Sequence, residues 1–402
     1  MTEPVTGIPL ENPADGLPDV IESERELQAA ARALAAGVGP VSIDAERASG
    51  FRYSQRAYLV QLRRDGAGSF LIDPIALPDL SPINDAIGSA EWILHAATQD
   101  LACLAEVGLR PQQLFDTELA ARLLGLPRVG LAAVVEHYLG LVLAKEHSAA
   151  DWSKRPLPTA WLRYAALDVE VLGEIRNLMG VDLARSGKSQ WAREEFDALL
   201  TWTPNVRVDP WRRTSGLHKV KGARGTAMVR ELWYARDHLA ADRDIAVGRL
   251  IPDAVLVLIA QHALAHPGTL PPGNRSVTRY QRDWLAALDR AQNLPESELP
   301  PVNQPTEGPP PPRAWADKDP VAAARLAQTR AQLGEFAEAN SIPIENVCSP
   351  EPLRRVVWTP PPGAPAREAF EAGLAAYGVR PWQQQIVAPL LQAAFEDHPR
   401  PA

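Results

Sequence analysis

The 402-residue sequence predicts an α/β domain followed by all-α domains. Three observations carry that reading. Strand-like runs crowd residues 41 to 72, strand and helix patterns alternate from there to about residue 205, and only helical periodicity follows. The expected organisation is a flexible tail over 1–22, an α/β domain over 23–205, and a basic connector with a helical unit over 206–294. A proline-rich linker then covers 295–318, and a second helical unit covers 319–402. Apolar residues at 46% and charged residues at 22% exclude a disordered chain, and no apolar run reaches the length of a membrane span. Cys103 and Cys348 form no Cys-x-x-Cys pair, which argues against a disulfide framework or zinc site and for a reducing cytoplasm. The first twenty residues are acidic and proline-bearing and show no signal peptide. A net charge of −8 disfavours a nucleic-acid partner unless basic residues gather locally.

In chain order, helical periodicity runs from Ser23 to Ala36, opened by Ser23 and Glu26 in the form of a capping box. Val41–Glu46, Ala57–Arg63 and Ser69–Ile72 read as strands. A turn at Arg64-Asp65-Gly66 makes them an antiparallel meander. Trp92–His95 follows as a strand, Asp100–Val107 as a helix, and Glu118–Leu124 and Leu131–Tyr138 as further helices. Trp161 to Ile175 carries Leu162, Ala165, Val169, Leu172 and Ile175 at helical spacing and reads as one helix.

Chemistry enters at Asp44 and Glu46. Strand side chains alternate faces, so these acids project from the same side and repel unless a cation or a proton intervenes. Asp100 heads its helix, where an acid serves either as an N-terminal cap or as a ligand. Tyr164 and Asp168 stand four apart on a helix and project side by side. The phenol either packs in the core with a satisfied hydroxyl or orients a water. Four carboxylates and a phenol are hard oxygen donors that suit Mg²⁺ or Mn²⁺ better than zinc, and two such ions can clamp a phosphodiester. Gly187-Lys188-Ser189 looks like the end of a phosphate-binding loop. It lacks the upstream glycine (Asp182 stands there) and follows a helix, so no nucleotide cofactor is expected. Cys103 reads as packing on an apolar helix face.

Asp44-x-Glu46, His95-x-x-x-x-Asp100 and Tyr164-x-x-x-Asp168 together resemble the motifs of the DEDD exonuclease superfamily, tyrosine subclass. Asp151-Trp152-Ser153-Lys154-Arg155-Pro156-Leu157, Arg163 to Val169 and Phe115-Asp116-Thr117 are similar to bacterial ribonuclease D, and the likeness spans about residues 25 to 200. The resemblance implies an α/β ribonuclease H-like exonuclease domain, two Mg²⁺ or Mn²⁺ ions, and hydrolysis of nucleotides from an RNA 3′ end. By it, Asp44 bridges the ions, Glu46 and Asp168 hold one, Asp100 is associated with the other, and Tyr164 positions the water. Trp152 and Arg155 become candidate RNA contacts.

Arg207, Arg212, Arg213, Lys219, Lys221, Arg224 and Arg230 form either a phosphate-binding patch or a solvated connector. Trp233, Asp244-Ile245-Ala246-Val247 and Ile251-Pro252 beyond it resemble an HRDC domain, a small helical nucleic-acid-binding module. Ser341-Ile342-Pro343-Ile344 and Pro350 to Leu353 echo residues 244 to 256 at an offset of about 97, so the all-α part is expected to hold two HRDC-like domains. The partner implied is RNA with a free 3′ end, tRNA precursors included, with no membrane; oligomeric state is left open. A DNA 3′–5′ exonuclease and an inactive nucleic-acid-binding protein stand as the alternatives.

Overall fold

The computed structural model describes residues 7–143, 147, 149–302 and 308–400. The strands are β1 (Ile8–Leu10), β2 (Val20–Ile21), β3 (Val38–Arg47), β4 (Ala57–Asp65), β5 (Gly68–Ile72), β6 (Glu91–Leu94), β7 (Gln113–Asp116) and β8 (Leu141–Leu143). Six of them form one sheet in the order β2-β5-β4-β3-β6-β7. The expected meander is present: β3, β4 and β5 are antiparallel, while β6 and β7 continue the sheet in parallel beyond β3. β3 therefore lies inside the sheet. Leu27, Ala30, Ala31 and Leu34 of the helix Glu24–Ala36 bury one face of it, and the Ser23–Glu26 capping box starts that helix as expected.

The segment expected as a loose tail is not loose where it is described. β1 pairs with β8, β2 pairs with β5, and Asp15 forms an ion pair with Arg63 at 2.9 Å. Edge strands of two or three residues are too short to show an alternating pattern, so the sequence hides them. Residues 1–6 lie outside the described residues. The helix expected over Trp161–Ile175 is also two, Thr159–Glu170 and Leu172–Arg185. Val171 between them keeps a helical backbone and the apolar stripe runs through it, so no glycine or proline marks the break.

The C-terminal helices share a core with the α/β domain instead of standing apart. Val134, Leu172, Ile175 and Met179 belong to one buried cluster with Trp315, Val356, Trp382 and Phe395, and Trp191 stacks on Trp382 at 4.8 Å. That cluster corrects the linker boundary. Trp315 is buried and its indole donates to the Pro310 carbonyl at 2.7 Å, while Arg354 donates to the carbonyls of Pro309 and Pro310. Residues 309–318 thus pack as the start of the C-terminal unit, and 303–307 lie outside the described residues. No described helix is long and apolar enough to cross a membrane.

The repeat at offset 97 has a structural counterpart. Gly222–Arg243, Val247–Leu250, Asp253–Ala265, Arg275–Arg279 and Gln281–Asn293 are matched in order by Pro320–Ala339, Ile344–Val347, Pro350–Trp358, Arg367–Ala375 and Pro381–Asp397. After each long helix one residue turns left-handed, Asp244 at φ 47° and Ser341 at φ 51°. Both turns dock on the α/β domain. Asp244 accepts from the Ser54 amide at 2.9 Å, and Ala246 donates to the Phe51 carbonyl at 3.0 Å. Asn340 accepts from the Lys188 ammonium at 2.6 Å, and Ser341 sits so close to Gly125 that a Cβ there would strike its carbonyl. Gly125 also has a φ of +78°, so two constraints call for glycine.

Candidate active site

β3 delivers Asp44 and Glu46 into a cleft of about 600 Å³, and the helix Thr159–Glu170 lies across β3 to bring Tyr164 and Asp168 to the same place. Asp44, Glu46 and Asp168 offer carboxylate oxygens that lie within 4.8 Å of one another. Asp100 lines the same cleft. It stands at the N-cap position of Leu101–Glu106 but makes no capping hydrogen bond; its carboxylate faces Arg47, with Nε to Oδ1 at 3.7 Å. Of the two uses open to Asp100, the cap is therefore the one the geometry does not show.

Asp116 explains how Asp100 is held. Its buried carboxylate accepts from the amides of Ala96 and Ala97 and, across the next helix start, from those of Glu118 and Leu119, at 2.8 to 3.2 Å. This pins Ala96 in a left-handed turn, φ 58°, just ahead of Asp100. His95 is hydrogen-bonded to the Thr117 hydroxyl at 2.8 Å, and burial lowers its pKa to about 4, so the ring is neutral near pH 7.

Burial raises the carboxyl pKa values of Asp44, Glu46, Asp100 and Asp168 above the usual range. At Glu46 the charges of Asp44, Asp168 and Asp100 push the same way, and Asp44 does so for Asp100 and Asp168. Four mutually repelling carboxylates in one cleft are a cost in stability that a divalent cation removes. Gln61, in register with Asp44 on β4, is wholly buried, and neither amide atom has a partner among the described residues. An all-oxygen donor set beside such a group fits hydrated hard cations. The Tyr164 phenol is also pushed above its usual pKa, by burial and then by Asp168 and Glu46, so it acts as a neutral hydroxyl beside Asp168.

The remaining expected contacts divide. Trp152 is fully buried against Trp161, with ring centroids 5.2 Å apart, and cannot reach RNA. Arg155 spends its donors on Asp73 and on the carbonyls of Tyr58, Trp152 and Lys154, so it is a clamp rather than an RNA contact. Arg224 donates to the carbonyls of Ala291 and Leu294, and Arg212 to Asp209 and the Pro301 carbonyl. Arg213, Lys219 and Lys221 are exposed. Lys188 of the rejected phosphate loop is a buried staple whose ammonium donates to the Leu123 and Asn340 carbonyls. Arg47 was missed from the sequence because strand alternation alone assigns it to the face opposite Glu46, although its side chain reaches the cleft.

Acids from a strand, a helix start and a helix, joined by a tyrosine on this mixed sheet, define a metal-dependent 3′–5′ exonuclease of ribonuclease H-like fold. Residues 18–184 match a family described as 3′–5′ exonuclease, and residues 308–395 match its 3′ to 5′ exonuclease C-terminal domain. Ribonuclease D of Escherichia coli is 31% identical over 269 residues, covering 65% of this chain and 71% of that protein. The chain belongs to the ribonuclease D family of 3′–5′ exoribonucleases. A crystal structure of a protein from Bifidobacterium adolescentis superposes with a TM-score of 0.86 at 38% identity, covering 97% of this chain and all (100%) of that one. The crystal structure of Escherichia coli RNase D, described as an exoribonuclease involved in structured RNA processing, shares the fold at a TM-score of 0.68 and 24% identity, over 95% of this chain and 99% of that one.

Proposed function

We propose that this chain removes nucleotides one at a time from the 3′ end of structured RNA, tRNA precursors among them, with two Mg²⁺ or Mn²⁺ ions. The observation that carries this reading is the convergence of Asp44, Glu46 and Asp168 within 4.8 Å, with Tyr164 and Asp100 lining the same cleft. Asp44, Glu46, Asp168 and Asp100 would hold the ions, with Asp44 shared between the two, Glu46 and Asp168 serving one and Asp100 the other. When bound, the ions neutralise the acids, activate a water and steady the leaving oxygen. Tyr164, a neutral phenol, orients that water toward phosphorus. The new bond joins the water oxygen to phosphorus, the bond from phosphorus to the 3′ oxygen of the preceding nucleotide breaks, and that oxygen takes up a proton. Arg213, Lys219 and Lys221 hold phosphates farther along the RNA. The two helical units act as HRDC-like supports. The free, buried thiols of Cys103 and Cys348 are consistent with work in a reducing cytoplasm.

The test is incubation of end-labelled RNA and DNA with the protein in Mg²⁺, in Mn²⁺ and with a chelator. A 3′-shortened ladder on RNA, absent with chelator and absent for Asp44→Asn at a melting temperature no lower than that of the parent, is expected. Equal rates on DNA would overturn the RNA assignment. Full activity of Asp44→Asn at matched metal content would overturn the two-ion assignment.

A further inference from the structure

We infer that Arg47 is a catalytic residue that takes the scissile phosphate once the acids are charge-balanced. The inference rests on the hydrolytic reading above and deepens it. Arg47 closes β3, directly after Glu46. Regular pleating points its Cβ away from the acids, and the register slip beside it (Glu46 opposes Leu59, Arg47 opposes Ala57) puts the extra residue, Tyr58, in β4; it is the long side chain that reaches the cleft from the end of β3. Arg47 lines the cleft and brings its Nε within 3.7 Å of Asp100.

Its donors are what set it apart. Arg155 and Arg176 each grip a carboxylate with hydrogen bonds at 2.6 to 3.2 Å. Arg47 makes only the longer ion pair with Asp100, beyond hydrogen-bond reach, and its side chain is 26% exposed. A guanidinium carries five N–H donors in a planar fork that matches two oxygens of a phosphate, and here that fork is not committed among the described residues.

Charge points the same way. Arg47 is the one Lys or Arg among the described residues lining the cleft, which also holds Asp44, Glu46, Asp100, Asp168 and Glu118. Two divalent ions balance the four carboxylates of the acid cluster and no more. The phosphodiester brings a further negative charge, and more charge gathers on its non-bridging oxygens as water adds to phosphorus. Arg47 is the cation of the chain placed to meet it, and it leaves Asp100 for the phosphate as Asp100 engages an ion.

A merely structural Arg47 would steady Asp100, and its loss would weaken metal binding. A phosphate-holding Arg47 predicts the reverse, because removing a cation beside the acids leaves Mn²⁺ affinity equal or tighter. The experiment compares the full chain with Arg47→Ala and Arg47→Lys. Turnover of short RNA should fall about 10²- to 10³-fold in Arg47→Ala, as when one donor to a developing oxyanion is lost. Arg47→Lys should recover part of it, since a point charge replaces the fork. Calorimetric Mn²⁺ titration should show no loss of affinity. In saturating Mn²⁺, binding of an RNA whose 3′-terminal linkage cannot be hydrolysed should weaken, with the slope of log affinity on log salt flatter by about 0.7. Turnover of Arg47→Ala within threefold of the parent, an unchanged salt slope, or a Mn²⁺ affinity that falls in step with turnover would each overturn the assignment. A parent protein inactive on every RNA would instead count against the hydrolytic reading itself.

Discussion

Arg155 grips Asp73 with two hydrogen bonds, Nε to Oδ2 at 2.6 Å and Nη2 to Oδ1 at 2.8 Å. Asp73 follows β5 and is 3% exposed, so this pair ties the Asp151–Leu157 segment to the end of the central sheet. The same guanidinium donates to the Tyr58 and Trp152 carbonyls, which places Trp152 in the core beneath the helix that carries Tyr164. A segment that reads as an RNA contact is thus the foundation of the catalytic helix.

Arg155→Ala should therefore act on stability first. It leaves a buried carboxylate without its partner, a loss of about 3–5 kcal/mol. Arg155→Lys should restore only part of this, because an ammonium cannot make both bonds in the plane. Urea denaturation followed by tryptophan fluorescence reads the change. A midpoint equal to that of the parent would remove the clamp from the account.

The acids and Tyr164 were legible because their chemistry requires fixed spacing on a strand or helix. Asp44 and Glu46 share a strand face, and Tyr164 and Asp168 share a helix face, so local geometry suffices to find them. Arg155 and Lys188 were not legible in the same way. Their partners, Asp73 and the Asn340 carbonyl, lie 82 and 152 residues away in sequence. A positive charge next to a motif reads as a ligand contact until the fold supplies such a partner. β1 and β2 were hidden by brevity. The C-terminal boundary was hidden because Trp315 and Trp382 look like core residues of any helical unit, and only packing shows that this core is shared.

That shared core governs what truncation does. A chain ending at Leu200 loses Trp382 from the face of Trp191 and removes the Asn340 carbonyl that accepts from Lys188. Exposing such a face costs on the order of 25 cal/mol per Å² of apolar surface. The shortened chain should lose its cooperative thermal transition and its activity together. Lys188→Met within the full chain should cost about 1–3 kcal/mol by leaving two buried carbonyls unpaired. A sharp melting transition in the shortened chain would show that the catalytic domain folds alone.

Tyr164→Phe removes only a hydroxyl and keeps the ring against its neighbours. The phenol is neutral at working pH, so its loss changes no charge among the acids. RNA affinity and Mn²⁺ affinity should stay within a few-fold of the parent, while turnover at saturating RNA falls by about 10²-fold or more. Unchanged turnover would return the side chain to simple packing.

The exposed basic residues of the first helical unit should govern affinity for structured RNA without touching the chemistry. Arg213, Lys219 and Lys221 are exposed, and all follow the last residue of the acid cluster, Asp168, by more than forty positions. A structured RNA presents more phosphates than the cleft can reach, so its binding draws on outlying cations. Each phosphate contact contributes about 0.7 to 0.9 to the slope of log affinity on log salt. Replacing the three by alanine should flatten that slope and weaken binding of a structured RNA, with turnover of a short single strand nearly unchanged. Arg212→Ala and Arg224→Ala make the comparison informative. Their guanidiniums are tied to Asp209 and to the carbonyls of Pro301, Ala291 and Leu294, so these changes should lower the melting temperature and leave the slope alone. Equal slopes for the triple variant and the parent would reduce the basic stretch to a solvated connector, and RNA affinity would then have to come from the cleft itself.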